Sequence, residues 1–456
     1  MLCSTALRAS FSWALLALPA GFAYGNSHDA TGGRDTIPLN DGWASVPTMA
    51  LPDGTTGGSN AAPERTVVVT TRDQLVAALA YPDATPKLIY IQGTIDANVD
   101  ATGAPLRCED YYRPDPVTGE MYSLASFLSA FDPAGPWGRV APSGAQERAR
   151  VASAAAQSAR IRIRIPANTT IYGIGRDAVV RGAWFDVRPS STSGNTPMNV
   201  IIRHVNFLDT ADCFPAWDPN DGAAGNWNAA YDAISVRNST HVWIDHNRLA
   251  DVRTSDETLP VFFGRIYQVH DGLVDITNVS DNITVSWNQF LNHDKTMLIG
   301  SSDSAAADRG ALRVTLHHNL FADIGQRAPR VRFGQVHVYN NYYFVGSRTN
   351  YGYSWGVGIE SQIYAENNFF DIQQPYTAAD VIERFNGTRI SDVGNCLGTG
   401  FDCMPTDFVA AWNVVNDPDL VPDAGWTPTL YGPSGRAQNA RRVRVSVLLG
   451  SGPGKR

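Results

Sequence analysis

Seven residues in the middle of this chain are of types that could do chemistry together. Asp232 lies in Tyr-Asp-Ala-Ile-Ser-Val, Asp271 and Asp275 in His-Asp-Gly-Leu-Val-Asp-Ile, and Lys295 in Asn-His-Asp-Lys-Thr-Met-Leu-Ile-Gly. Arg327, Arg330 and Arg332 share Gln-Arg-Ala-Pro-Arg-Val-Arg-Phe-Gly. In an extended strand Asp271 and Asp275, four apart, face the same side. Asp232 is expected to stack beside them from the preceding coil. Three carboxylates on one outer face repel each other unless a cation sits between them. Calcium suits such a set, because it takes hard oxygen ligands in a flexible arrangement. On spacing alone, three solvated surface aspartates are the favoured reading. Arg327 and Arg332 are five apart, so strict alternation puts them on opposite faces; Pro329 between them implies a turn before the strand. Their alternative is a salt-bridged surface.

Such residues need a scaffold that brings distant segments side by side, and residues 200–370 supply one. A short β-rich run, an Asn and then an apolar or aromatic residue recur around Asn206, Asn247, Asn288, Asn319, Asn341 and Asn368. Short strands at such spacings, with little helical periodicity between them, predict a solenoid of stacked coils. Coils ~4.8 Å apart stack equivalent residues directly, so the Asn residues are expected to form a hydrogen-bonded ladder. Asn-Gly and Asp-Gly hairpin turns, which a sandwich would need, are scarce. The fold class is therefore all-β, a parallel β-helix. Thr71–Ala80 reads as a short helix capping the first coil. Residues 101–159 read as an insertion, partly helical around 146–159. Residues 371–456 read as irregular, packed along the side, with the basic stretch from Arg441 a solvated tail.

Composition bounds the rest. The chain has 456 residues and a formal net charge of −8, with 18% charged and 43% hydrophobic residues. It is too apolar to be disordered and too acidic for general nucleic-acid binding. Residues 1–25 carry a short apolar run followed by small residues, the pattern of a secretory leader, leaving 26–456 as one domain. No other stretch approaches the ~20 apolar residues that span a bilayer. Export would let Cys108, Cys213, Cys396 and Cys403 oxidise. A local Cys396–Cys403 bridge with Cys108–Cys213 as its complement is one arrangement, and spacing does not fix it. There is no phosphate loop, His-Glu-x-x-His, Gly-x-Ser-x-Gly or Cys-x-x-Cys motif. Asp245-His246 reads as structural hydrogen bonding.

Several phrases in order, Val242-Trp-Ile-Asp-His246, Asp271-Gly-Leu-Val-Asp275, His293-Asp-Lys-Thr-Met-Leu-Ile-Gly300 and Arg327-Ala-Pro-Arg-Val-Arg-Phe-Gly334, resemble those of the pectate lyases of the parallel β-helix type, a family that includes the pectin lyases. The clear match runs from about residue 160 to 370. The resemblance implies a right-handed parallel β-helix and a secreted, endo-acting, calcium-dependent lyase. It implies that Asp232, Asp271 and Asp275 bind calcium and that Lys295 binds substrate. It implies that Arg327 is the base and that Arg332 holds a substrate carboxylate. Some members have a further acid where this chain has Ala230.

The implied chemistry suits these residue types. A uronic acid polymer is cut by removing the C5 proton and expelling the C4 oxygen. Cations neutralise the neighbouring carboxylate and the developing enolate-like charge, and a base must reach C5. An arginine base conflicts with the rule that arginine stays protonated and rests on the resemblance. Retention of the three acids favours de-esterified polygalacturonate over the methyl ester that a pectin lyase takes. A hydrolase would need a flanking pair of carboxyls, and a non-catalytic β-helix that binds carbohydrate would explain the repeats but neither constellation. The chain is expected to act as a monomer on polygalacturonate, without nucleic acid or membrane.

Overall fold

A computed structural model describes residues 32–190, 196–346, 350–400, 402–428 and 437–455. The expected leader, 1–25, lies outside them. The chain winds through three long sheets whose neighbouring strands come from successive coils. Sheet I has ten strands, from Thr66–Val69 to Ile390–Val393; sheet II has eight, from Arg162–Ile165 to Ile382–Phe385; sheet III has ten, from Thr94–Asp96 to Met404–Pro405. A representative coil runs Val274–Thr277 in sheet II, Asp281–Ser286 in sheet I and Gln289–Lys295 in sheet III, then returns to sheet II at Leu298–Ile299. Pairing along the three sheets is parallel until the terminal Cys396–Leu397 and Met404–Pro405 pair. This is the expected parallel β-helix.

Alternation explains the interior. Ile234, Val236, Val274, Ile276, Ile283 and Val285 point inward and are fully buried in one continuous core. Phe290, Phe321, Tyr343 and Phe370 occupy one position on successive coils and stack at 5.0, 4.9 and 4.2 Å. At the corner between sheets I and III runs the Asn ladder. The backbone N–H of Asn288 donates to Asn319 Oδ1 at 3.0 Å, that of Asn319 to Asn341 at 2.9 Å and that of Asn341 to Asn368 at 2.9 Å. Each side-chain amide also donates to a backbone carbonyl of the coil before, as Asn319 does to Val285.

Two ladder assignments need correction. Asn206 is not a rung: Val205 holds that place and donates to Asn247 Oδ1, while Asn206 pairs with Arg248 one position on. The ladder instead extends to Asn395, which accepts from Asn368 N–H at 2.7 Å.

The ends and insertion follow local rules. Thr71 caps the helix Arg72–Leu79, accepting from Gln74 N–H, and Leu75 and Leu79 close the first coil. The insertion holds the helices Leu124–Ala130 and Ala145–Ile161 around an aromatic cluster including Tyr122, Phe127, Phe214 and Trp227. Disulfide Cys108–Cys213 ties it to the coils, and Cys396–Cys403 closes the last one. The C-terminal part is more regular than expected. Strands continue through Ile382–Phe385 and Ile390–Val393, and helix Phe408–Asn413 plugs the far end of the core with Phe408 and Trp412. The basic stretch is not a solvated tail. It forms helix Ala440–Gly450, whose Ala440, Val443 and Val447 pack on Leu320, Tyr342 and Phe369 of sheet III. The sequence shows three buried positions at helical spacing there, but the arginines between them mask the stripe.

Candidate active site

The expected site residues gather where sheet III turns into sheet II. Asp275 lies on strand Val274–Thr277, facing outward between the inward Val274 and Ile276. Its register partner on the preceding coil is Ser235, not Asp232. Asp232 and Asp271 sit in the turns that lead into those two strands, so loop geometry rather than strand alternation brings the acids together. Gly272 N–H donates to Asp232 Oδ1 at 3.0 Å, Leu298 N–H donates to Asp275 Oδ1 at 2.9 Å, and Ser235 Oγ donates to Asp232 Oδ2. A Cβ at Gly272 would meet Asp275 Oδ1 at 2.4 Å and Asp232 Oδ1 at 2.8 Å, so only glycine lets the two carboxylates close over this turn.

The electrostatics follow from burial. Asp232 and Asp275 are each 8% exposed. Burial and the fields of Asp275 and Asp271 push Asp232 well above the carboxylate range, and burial and Asp271 push Asp275 up to about 7. Lys295 Nζ stands 3.9 Å from Asp271 Oδ1. Hard oxygens with excess negative charge and too few cations are the donor set that fits calcium. Among the described residues, three ligand atoms within 4.8 Å of one another occur instead at Asp251, Asp256 and His270. That group is already satisfied: His270 Nδ1 faces Asp256 at 2.7 Å and Asp251 at 3.4 Å, so its proton lies where a metal would have to be. The calcium expectation stays with Asp232, Asp271 and Asp275, which are more widely set.

The three arginines occupy distinct places. Arg327 ends strand Leu320–Gln326 with φ 62°, a conformation uncommon for a residue with a Cβ. Its carbonyl is fixed by Met297 N–H at 2.7 Å, and Ala328–Pro329 is cis. This is the turn that Pro329 implied, and it frees Arg327 from strand alternation. The Arg327 Nε is buried without a hydrogen-bond partner. Burial draws its pKa down, but Tyr353, Asp275, Asp271 and Asp294 outweigh that, so without a cation the guanidinium is held more firmly protonated than usual. Arg332 faces outward and is oriented at two points: Nε donates to Asp303 Oδ1 at 2.6 Å and Nη1 to the Gly300 carbonyl at 2.9 Å.

Sequence reasoning gave no role to several neighbours. Arg330, alternating with Arg332 and so on the same face, lies over the Phe385 ring at 3.7 Å. Asp303 comes from the loop after Leu298–Ile299 and also accepts from Asn386. Buried His293 donates through Nδ1 to Asp251 Oδ2 at 2.6 Å and through Nε2 to the Asp271 carbonyl at 2.7 Å. Burial opposes its charge, but Asp251 and Asp256 raise its pKa to about 9. Asp212 accepts from the Ala230 N–H at 3.1 Å, and burial raises it to about 6. Only long-range pairing reveals Asp212, Asp251 and Asp303. As expected, Asp245 and His246 are structural: His246 Nδ1, Arg203 and Ser286 converge on the buried Asp245 carboxylate.

Comparison with known proteins identifies relatives of this chain. A family model described as pectate lyase matches residues 139–413. A pectate lyase of Bacillus subtilis (strain 168) is 42% identical over 445 residues, covering 96% of this chain and 98% of its own. A thermostable pectate lyase superposes with a TM-score of 0.85 at 40% identity, covering 93% of this chain and 99% of that one. A pectate lyase bound to a hexasaccharide does so with a TM-score of 0.82 at 44% identity, covering 92% and 98%.

Proposed function

This chain belongs to the pectate lyase family, and on that premise we propose that it is a secreted, calcium-dependent, endo-acting lyase of de-esterified polygalacturonate. The observation that carries the reading is the apposition of a buried acidic cluster with Lys295 and the Arg327–Arg332 turn on one outer face. In the proposed reaction Arg327 takes the C5 proton, the C4–O bond breaks, and its electron pair leaves on the departing oxygen. A C4=C5 double bond remains on one product, and the other gains a proton from water. Lys295 and Arg332 hold the carboxylate beside C5, where charge develops. Asp232, Asp271 and Asp275 would hold calcium, which when bound supplies further positive charge to that carboxylate. With Asp271 and Asp275 so engaged, their field no longer keeps the Arg327 proton in place, which lowers the cost of a neutral guanidine.

Secretion is supported by the leader pattern and by two disulfides, which suit an oxidising compartment. The test is a substrate series of rising methyl esterification, followed by ultraviolet absorbance of the unsaturated product. Activity should fall as esters replace carboxylates. A steady rise to full esterification would replace this reading with that of a pectin lyase.

A further inference from the structure

The outer face of sheet II carries a second concentration of positive charge, away from the arginines described above. Alternation turns Ile163, Ile165, Phe185 and Val187 into the core and leaves Arg162, Arg164, Trp184 and Asp186 outside. Arg162, Arg188 and Arg237 converge on the wholly buried Asp186 side chain at 2.5, 2.8 and 2.7 Å. Their own side chains are 30, 39 and 32% exposed. Arg162 and Arg237 also lie over the Trp184 ring at 4.8 and 5.1 Å, which fixes their planes. The nearby Arg164 is taken by Asp83 at 2.6 Å.

One carboxylate cannot balance three guanidiniums. Among the described residues no other acid pairs with them, and the 191–195 segment that follows contains none. Burial weakens Arg188's hold on its proton; Asp186 opposes this, and Arg162, Arg237 and Arg164 add smaller contributions in the same direction as burial. In a chain of net charge −8 this excess is local and deliberate in placement.

The register ties this patch to the candidate active site. Asp186, Ser235 and Asp275 are successive partners across sheet II, so Asp186 stands two strands from Asp275, roughly 10 Å. Arg237 pairs with Thr277, whose row continues through Gly300 to Arg332, three strands or roughly 14 Å away. Both cationic groups lie on one outward face, along a line that crosses the coils.

We propose that Arg162, Arg188 and Arg237 form a remote subsite that binds a carboxylate of the same polyuronate chain whose cleavage takes place at Arg327. This rests on the lyase reading above. It makes the enzyme favour chains long enough to bridge the roughly 14 Å between Arg332 and Arg237 over a trimer, whose carboxylates span less than that. Asp186 holds the guanidiniums in place, and their exposed edges take the ligand.

The experiment compares wild type, Arg188→Gln, Arg237→Gln and the double variant on long polygalacturonate and on trigalacturonate. The double variant should raise KM for the polymer about fivefold or more, with kcat and all trimer kinetics unchanged. The salt dependence of polymer KM should flatten. Arg188→Lys, which keeps charge and the Asp186 contact, should retain most of the polymer affinity and guards against a folding defect. An unchanged polymer KM, or equal rises on polymer and trimer, would overturn the subsite. Retention on immobilised polygalacturonate needs no turnover and should weaken in the double variant. Wild type that is retained but makes no unsaturated product would refute the lyase reading alone, and equal retention of wild type and double variant would refute the subsite alone.

Discussion

In the proposed reaction Arg327 bears the hardest chemical demand, because a group that ordinarily keeps its proton is asked to accept one. Substitution separates that role from simple charge. Arg327→Lys should lose kcat by orders of magnitude yet still bind oligogalacturonate with calcium, whereas Arg332→Lys should mainly weaken binding. Equal, modest losses in both would mean that Arg327 acts only through its charge. Asp303→Asn should resemble a mild Arg332 defect, since it loosens the contact that aims that guanidinium. The Asp275 carboxyl makes a separate prediction about pH. Its folded pKa, about 7, exceeds the unfolded value near 3.9. The native state therefore binds more protons between roughly pH 4 and 7, so in chelator its stability falls as pH rises through that window. Asp275→Asn should remove the penalty and melt a few degrees higher than wild type at pH 8 in chelator, with the gap closing near pH 4. A Tm difference that does not depend on pH would contradict this account. These residues were legible in the sequence by type and family phrase, but their geometry was not. Asp232 reaches Asp275 through the Gly272 turn rather than by strand stacking, and no spacing rule foretells a turn.

At the scale of elements, the ladder and the loops do different work. The Asn rungs were readable because a strict phrase repeats, and the reading slips by one at Asn206, because Val205 rather than an Asn follows the positive-φ residue His204. Each interior rung's side chain satisfies two buried backbone groups of the coil before it, as Asn319 does for Asn288 N–H and the Val285 carbonyl. Asn319→Ala should therefore cost about 1–3 kcal/mol in urea unfolding, and a loss near zero would show that the ladder is incidental. The His293–Asp251 pair could not be read, since its partners lie 42 residues apart and meet only through the coil geometry. It clamps the Asp271 carbonyl and so fixes one side of the acidic cluster. His293→Gln should weaken calcium binding by calorimetry several-fold while excess calcium restores kcat. A loss of kcat that calcium does not restore would place His293 elsewhere in the mechanism. The insertion helix Ala145–Ile161 was anticipated in outline. The C-terminal helix was not, because its buried face is only three residues wide.

As a whole, the molecule is an acidic rod of coils, and its proposed substrate is a polyanion. Binding at net charge −8 must then rest on local fields: the arginines and lysine of sheets II and III, and calcium between carboxylates. The scaffold supplies rigidity for this, with a continuous core from Val69 to Leu420 and stacked aromatic and amide rows along it. Removing the metal should accordingly leave the fold intact while abolishing turnover. This constellation is proposed to perform a calcium-dependent elimination on pectate. The measurement that tests it most directly is ultraviolet absorbance of the purified chain acting on de-esterified polygalacturonate, first with calcium and then with excess chelator. The account predicts a steady rise from the new C4=C5 bond with calcium and none with chelator. Cleavage without that absorbance, or full activity in chelator, would contradict it.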